Sequence, residues 1–169
     1  MSTFETLTFY RGVSAKYPTD RAYVMTPRSD RRPKNSSLHF HQIADNWFRS
    51  HFGIAYRSEG VFVMSKIVSA TAYAATPDHV VRIVPLSKYQ YCWSPQISDL
   101  LFAANRMADS PANDIESYLD TAEYREDGLQ EAYDSGNEVM LHCERYIAIP
   151  LDLVEGVTGP NTQAIILPS

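Results

Sequence analysis

The run Glu138-Val-Met-Leu-His-Cys-Glu-Arg-Tyr-Ile-Ala-Ile149 constrains the fold of this chain most. It follows a turn signal, Ser135-Gly136-Asn137, and reads with a period of two, as a strand does. Val139, Leu141, Cys143, Ile147 and Ile149 share one face. Glu138, Met140, His142, Glu144 and Tyr146 share the other. Arg145 breaks the apolar face, so the run is expected to bend or bulge there. Any fold for the chain must give this segment a place in a sheet.

Shorter strand signals accompany it. Thr8-Phe-Tyr-Arg-Gly12 is aromatic and β-branched, and it ends in an arginine whose head must find an anion, a π-face or water. Gly60-Val-Phe-Val-Met64 is apolar at every side chain, as a strand buried on both faces would be. Val80 to Leu86 and Tyr89 to Trp93 are further strands, and Thr162 to Leu167 reads as a last one. Between them lie helices. Leu38 to His51 carries Phe40, Ile43, Ala44 and Trp47 at helical spacing, with Ser36 and Ser37 as N-cap candidates and Gly53 as a stop. Ser65 marks a strand-to-helix junction, after which Ile67, Ala70, Thr71 and Ala74 follow helical spacing. Ser94-Pro95 predicts a helix start, with Ile97, Leu100, Leu101 and Ala104 as its buried face. Asn113 to Ala122 and Glu126 to Tyr133 predict two short acidic helices. There is no regular βαβ alternation, so the expected class is α+β, with short strands in mixed or antiparallel sheets and residues 1–169 as one domain.

Composition narrows the function classes. The net charge of −5 argues against a general nucleic-acid coat, although a local basic patch remains open. Such a patch is present: Thr26 to Ser37 holds Arg28, Arg31, Arg32 and Lys34 against the single acid Asp30, with two prolines. It reads as a loop, either solvated or in contact with an anionic substrate beside a cleft. Cys92 and Cys143 do not make a disulfide framework, and no apolar run reaches membrane-spanning length or resembles a leader peptide. A cytoplasmic protein is expected, one that can also be delivered into a target cell.

Several chemistries lack their motif. No P-loop, Rossmann glycine pattern, nucleophile elbow or zinc spacing is present. His39 and His41 are wrongly spaced for a metal pair on one helical face, though either can line a cleft. His142 and Cys143 are adjacent, hence on opposite strand faces. Three polar residues at strand ends remain: Arg11, Ser65 and Glu138.

In that order the chain resembles the ADP-ribosyltransferase fold of the Arg-Ser-Glu type, as in small bacterial or phage-like mono-ADP-ribosyltransferases. The matching stretches are Phe9-Tyr10-Arg11-Gly12, Val61-Phe62-Val63-Met64-Ser65 with Ala70-Thr-Ala-Tyr73-Ala, and Asn137-Glu138-Val139-Met140-Leu141. Two features depart from the family. The Ser-Thr-Ser motif keeps only Ser65, and Gly136 stands where arginine-modifying members carry Gln or Glu.

The resemblance implies two small sheets around an NAD cleft with helices packed outside, and a toxin, effector or phage-type modifier that uses NAD as substrate. Glu138 would be catalytic, with Glu144 on the same strand face as its rival. A carboxylate there suits the oxocarbenium-like ribosyl cation formed when nicotinamide leaves. Arg11, beside Gly12, would hold phosphate or ribose, and Ser65 would fix neighbouring groups. Phe62 or Tyr73 would stack on the nicotinamide. The expected partner is a macromolecular acceptor, protein ahead of nucleic acid, with an antitoxin or immunity protein as a further one. The rival readings are an NAD glycohydrolase, and a non-catalytic module that keeps the fold and binds a partner or nucleic acid through the basic loop.

Overall fold

The computed structural model describes residues 2–32, 34 and 36–157. The strand expected at Thr162 to Leu167 lies outside the described residues. The fold is α+β, with two small antiparallel sheets. The four-stranded sheet has the order β1-β4-β7-β2, from Phe9–Gly12, Val80–Pro85, Tyr146–Pro150 and Tyr23–Met25. The three-stranded sheet has the order β3-β6-β5, from Val61–Val63, Val139–Cys143 and Tyr89–Trp93.

The period-two run from Glu138 explains this division. It breaks at Glu144-Arg145, and the two halves enter different sheets. The break also changes the phase. Val139, Leu141 and Cys143 are buried before it, but Tyr146 and Ala148 are buried after it, while Ile147 and Ile149 are only half-buried. The expectation that Ile147 and Ile149 continue the first apolar face is therefore corrected. Two turn residues rotate the strand, and a rotation between sheets resets which alternate positions face the core.

The three-stranded sheet is largely apolar on both sides because it is covered on both, with the cross-strand pair Gln90 and His142 as a polar exception. Val61, Val63, Trp93, Val139 and Leu141 meet Phe9, Val81, Ile83, Tyr146 and Ala148 of the four-stranded sheet. Cys92 and Met140, with Phe62 beside them, face a helical layer. That layer is α1 (Leu38–Phe52), α4 (Leu100–Arg106) and α5 (Ala112–Asp120), which bring Phe40, Phe48, Leu100, Ile115 and Leu119. Each such fully buried side chain stabilises the fold by roughly 1.5–3 kcal/mol relative to exposure.

Helix ends follow local chemistry in part. Ser37 accepts from the Phe40 amide at the start of α1, and Gly53 closes it with φ 79°. The helix expected from Ser94 instead begins at Leu100, capped by Asp99, which accepts from the Leu101 amide at 2.7 Å. Tertiary bonds explain the delay. The Ser94 carbonyl accepts from Asn137 Nδ2 at 2.9 Å, and the Ser98 carbonyl accepts from the Glu138 amide at 2.9 Å. Those carbonyls are then bonded to the start of β6 and not to a helical turn. The segment expected to be helical from Glu126 becomes α6 only at Leu129–Ser135, after Gly128 at φ 69°. Three elements had no clear sequence signal: β2, α2 (Tyr56–Glu59) and α7 (Leu151–Val157). No helix among the described residues is long and apolar enough to cross a membrane.

Candidate active site

Besides packing face to face, the two sheets are joined by backbone hydrogen bonds at a seam. The Tyr10 amide donates to the Met64 carbonyl at 2.7 Å, and the Met64 amide donates to the Tyr10 carbonyl at 2.8 Å. This pairing sets β1 beside the end of β3. Arg11, the next residue, reaches back across the seam and donates from Nη1 to the Phe62 carbonyl at 3.1 Å. The arginine at the end of an apolar strand is thus held over the junction of the sheets, where the helical layer leaves a cavity of about 130 Å³.

Arg11, Gly12, Phe62, Tyr73 and Glu138 all line that cavity. They come from β1, β3, the turn after α3 (Ile67–Thr71) and the residue before β6. Ser65 does not line it. Its hydroxyl donates to the Tyr133 carbonyl at 2.6 Å, pinning the strand end to α6. Nor does Ser65 cap α3, whose N-cap residue is Lys66. Glu144 is exposed at the turn between the sheets, so Glu138 is the carboxylate at the cavity.

Two further guanidiniums converge there. Arg31, from the basic loop, lies over the Phe62 ring at 4.1 Å, and Arg57, buried at the start of α2, lies 5.1 Å from the same ring centroid. Burial, then repulsion from Arg11 and Arg57, brings the Arg31 pKa down to about 9, so it stays charged at neutral pH. Arg31 Nη1 and Arg57 Nε are buried and have no hydrogen-bond partner among the described residues. Two buried carboxylates, Glu138 and Asp99, offset these three guanidiniums only in part, and the unmet donors of Arg31 and Arg57 suit a further anionic or polar acceptor. The Phe62 ring, expected to stack on a ligand, carries the Arg31 guanidinium.

Glu138 shares the cavity with Asp99 as a buried carboxylate. It is only 8% exposed, and burial, then the neighbouring Asp99, pushes its pKa up to about 7. Arg57, Arg31 and a hydrogen bond from the Leu100 amide pull the other way. Asp99 accepts a short hydrogen bond from the Tyr73 hydroxyl, which fixes the Tyr73 ring on the cavity wall. The Tyr73 pKa is raised, chiefly by burial and then by that bond.

A second polar group stands behind the cations. Asp45 of α1 accepts the Arg57 and Ser58 amides at 2.9 and 3.1 Å, and the Ser58 hydroxyl as well. His41, one turn earlier, places Nε2 3.3 Å from Asp45 and 3.2 Å from Ser58 Oγ. Asp45 therefore fixes the start of α2, and with it the position of Arg57. Burial holds the His41 pKa below the usual imidazole value, so His41 is neutral at pH 7. His41 lines the cavity, and its buried Nδ1 has no hydrogen-bond partner among the described residues.

Sequence reading missed Arg57, Asp45 and Asp99. Arg57 stands beside Ser58 and Glu59 between the apolar runs Ile54-Ala-Tyr56 and Val61-Phe-Val63, so its local sequence reads as a polar turn and not as a buried site. A helix running from Ser94 places Asp99 in its interior, whereas the actual start at Leu100 makes Asp99 the cap.

No family model matches this chain, no curated protein matches it in sequence, and no solved structure matches its fold.

Proposed function

We propose that this cavity binds a phosphate-bearing heteroaromatic ligand. The observation that carries the reading is the meeting of Arg11, Arg31 and Arg57, the last two with unpartnered buried donors, around one cavity that also holds two buried carboxylates, Glu138 and Asp99, and an aromatic wall. A cavity of about 150 Å³ is known to take a benzene-sized guest. By that scale the 130 Å³ here fits one ring. The remainder of a larger ligand would extend toward the wider groove that shares Arg11, Gly12, Arg31 and Tyr73.

In particular, we propose NAD as substrate and mono-ADP-ribosyl transfer as the reaction, on an ADP-ribosyltransferase-like fold. The residues fit the substrate. Arginines give planar, bidentate contacts to the diphosphate, and Tyr73 offers a ring face to the nicotinamide. Phe62 serves as the platform that positions Arg31. Glu138, ionised, hydrogen-bonds the ribose 2′-hydroxyl and stabilises positive charge as it develops on the ribose. The C1′–nicotinamide bond breaks with its electron pair leaving on nicotinamide. The acceptor nucleophile bonds to C1′ and gives its proton to solvent or to a carboxylate. With water as acceptor the same step is NAD hydrolysis. Ser65 supports the site at a distance, through β3 and α6.

The test is nicotinamide release from NAD, followed by chromatography, together with mass spectrometry for added ADP-ribose in a treated extract. The expected outcome is release by the wild type and a loss of roughly 100- to 1,000-fold in Glu138→Gln, with NAD still bound. Absence of both NAD binding and release would leave only the non-catalytic module. Loss in Glu144→Gln instead would move the catalytic carboxylate away from the cavity.

A further inference from the structure

Beside the small cavity runs a wider groove of about 590 Å³. It is bounded by the Ser14–Tyr17 turn, β2 and the basic loop, and it shares Arg11, Arg31 and Lys34 with the cavity. Six cationic side chains line it: Arg11, Lys16, Arg28, Arg31, Arg32 and Lys34. No aspartate or glutamate is among its lining residues. These six are drawn from only 15 lysines and arginines, in a chain where 20 acids set the net charge at −5. The groove is therefore a local reversal of the molecule's charge. Arg28 pairs with Asp30 at 3.2 Å, but Lys16, Arg32 and Lys34 are exposed and form no ion pair among the described residues.

The groove also has an aromatic wall. Tyr17 and Tyr23 stack with centroids 5.6 Å apart and planes within 4°, and Lys16 Nζ lies 5.0 Å from the Tyr17 ring. Cations set among stacked rings are the recurring device for single-stranded nucleic acid. The cations follow the phosphates, and every unpaired base offers a π-face. An acidic peptide would use the cations and leave the rings without a matching partner.

We infer that this groove binds single-stranded nucleic acid, with the strand passing the mouth of the small cavity. The resemblance puts protein ahead of nucleic acid as the acceptor, and the net charge of −5 averages over the whole surface; the local charge of the groove reverses that order. That the bound strand is the acceptor rests on the NAD reading above; binding itself does not.

The experiment is fluorescence anisotropy of a labelled 12-nucleotide oligouridylate and oligothymidylate with the full chain, in 50 and 200 mM NaCl and without NAD. Because NAD is absent, the result is independent of whether the cavity turns it over. Three phosphate contacts, from Lys16, Arg32 and Lys34, predict a log–log salt slope of about −2 and so about 20-fold weaker binding at the higher salt. Lys16→Ala with Arg32→Ala should reduce the slope to about −0.7. Tyr17→Ala should weaken binding at least about fivefold with the slope unchanged. The inference is overturned by no binding at 50 mM NaCl or by binding indifferent to these variants. A duplex, or a glutamate-rich peptide of equal charge, that binds as tightly as the single strand also overturns it.

Discussion

At the scale of single residues, Glu138 is costly to keep ionised. Its carboxyl pKa is raised to about 7 in the folded chain, against 4.5 when solvated. The folded state therefore favours the protonated form. Its stabilising contribution is full below the unfolded value and is lost as pH rises through about 7. A shift of this size is worth about 3 kcal/mol. Urea unfolding at pH 5 and pH 8 should show Glu138→Gln gaining on the wild type at the higher pH by up to that amount; parallel behaviour at both pH values would contradict the burial argument. On the proposed reaction, the same ionisation sets the rate. The rate of nicotinamide release at limiting NAD should rise with pH through about 7, because only the carboxylate stabilises a developing cation. A rate falling across that range would require Glu138 to act protonated. Of the residues around it, Glu138 and Arg11 were legible in the sequence because strand ends are easy to locate. Arg57 was not, because nothing local says that an arginine next to Ser58 and Glu59 is buried against a cavity.

At the scale of elements, close approach decides what each position tolerates. Gly12 lines the cavity, yet its missing side chain serves α3. A Cβ there would meet the Ala70 carbonyl oxygen at 2.3 Å and the Ala74 amide nitrogen at 2.5 Å. Both are backbone atoms, so Gly12→Ala must push β1 from the helix. It should destabilise the fold by roughly 1–3 kcal/mol and weaken the proposed NAD binding by displacing Arg11. An unchanged melting temperature would refute the packing account. Ser65 is the opposite case. Its hydroxyl bond to the Tyr133 carbonyl makes it a pin between β3 and α6. Ser65→Ala should cost about 1 kcal/mol in thermal or urea unfolding while leaving NAD affinity within a fewfold. A large affinity loss at unchanged stability would return Ser65 to the ligand. The strand-to-helix junction at Ser65 was visible from the change of periodicity, but the direction of its hydroxyl was set by an element 68 residues away.

At the scale of the whole molecule, Arg11, Arg31 and Arg57 stand on β1, the basic loop and α2, three segments joined only by the tertiary fold. An anion among them should tie these segments together and relieve their repulsion. Pyrophosphate at about a hundredfold excess over its Kd should raise unfolding stability by about 3 kcal/mol, beyond a sodium chloride control of equal ionic strength. No difference from that control would show that the cations do not act as one site. The run Glu138–Ile149 shows where sequence reasoning ends. Its alternation, and the break at Arg145, follow from side chains alone, because a period of two is a local property of extended backbone. So do the α1 stripe with its Ser37 and Gly53 ends, the α+β class, and the strand-end positions of Arg11 and Glu138. Tertiary structure alone decided that the run crosses between sheets and that Tyr146 and Ala148, not Ile147 and Ile149, face inward. It alone moved the α4 start to Asp99, and it alone gathered three arginines onto one cavity. Those outcomes depend on hydrogen bonds, packing and charge between residues distant in sequence, and no local pattern records which distant groups will meet.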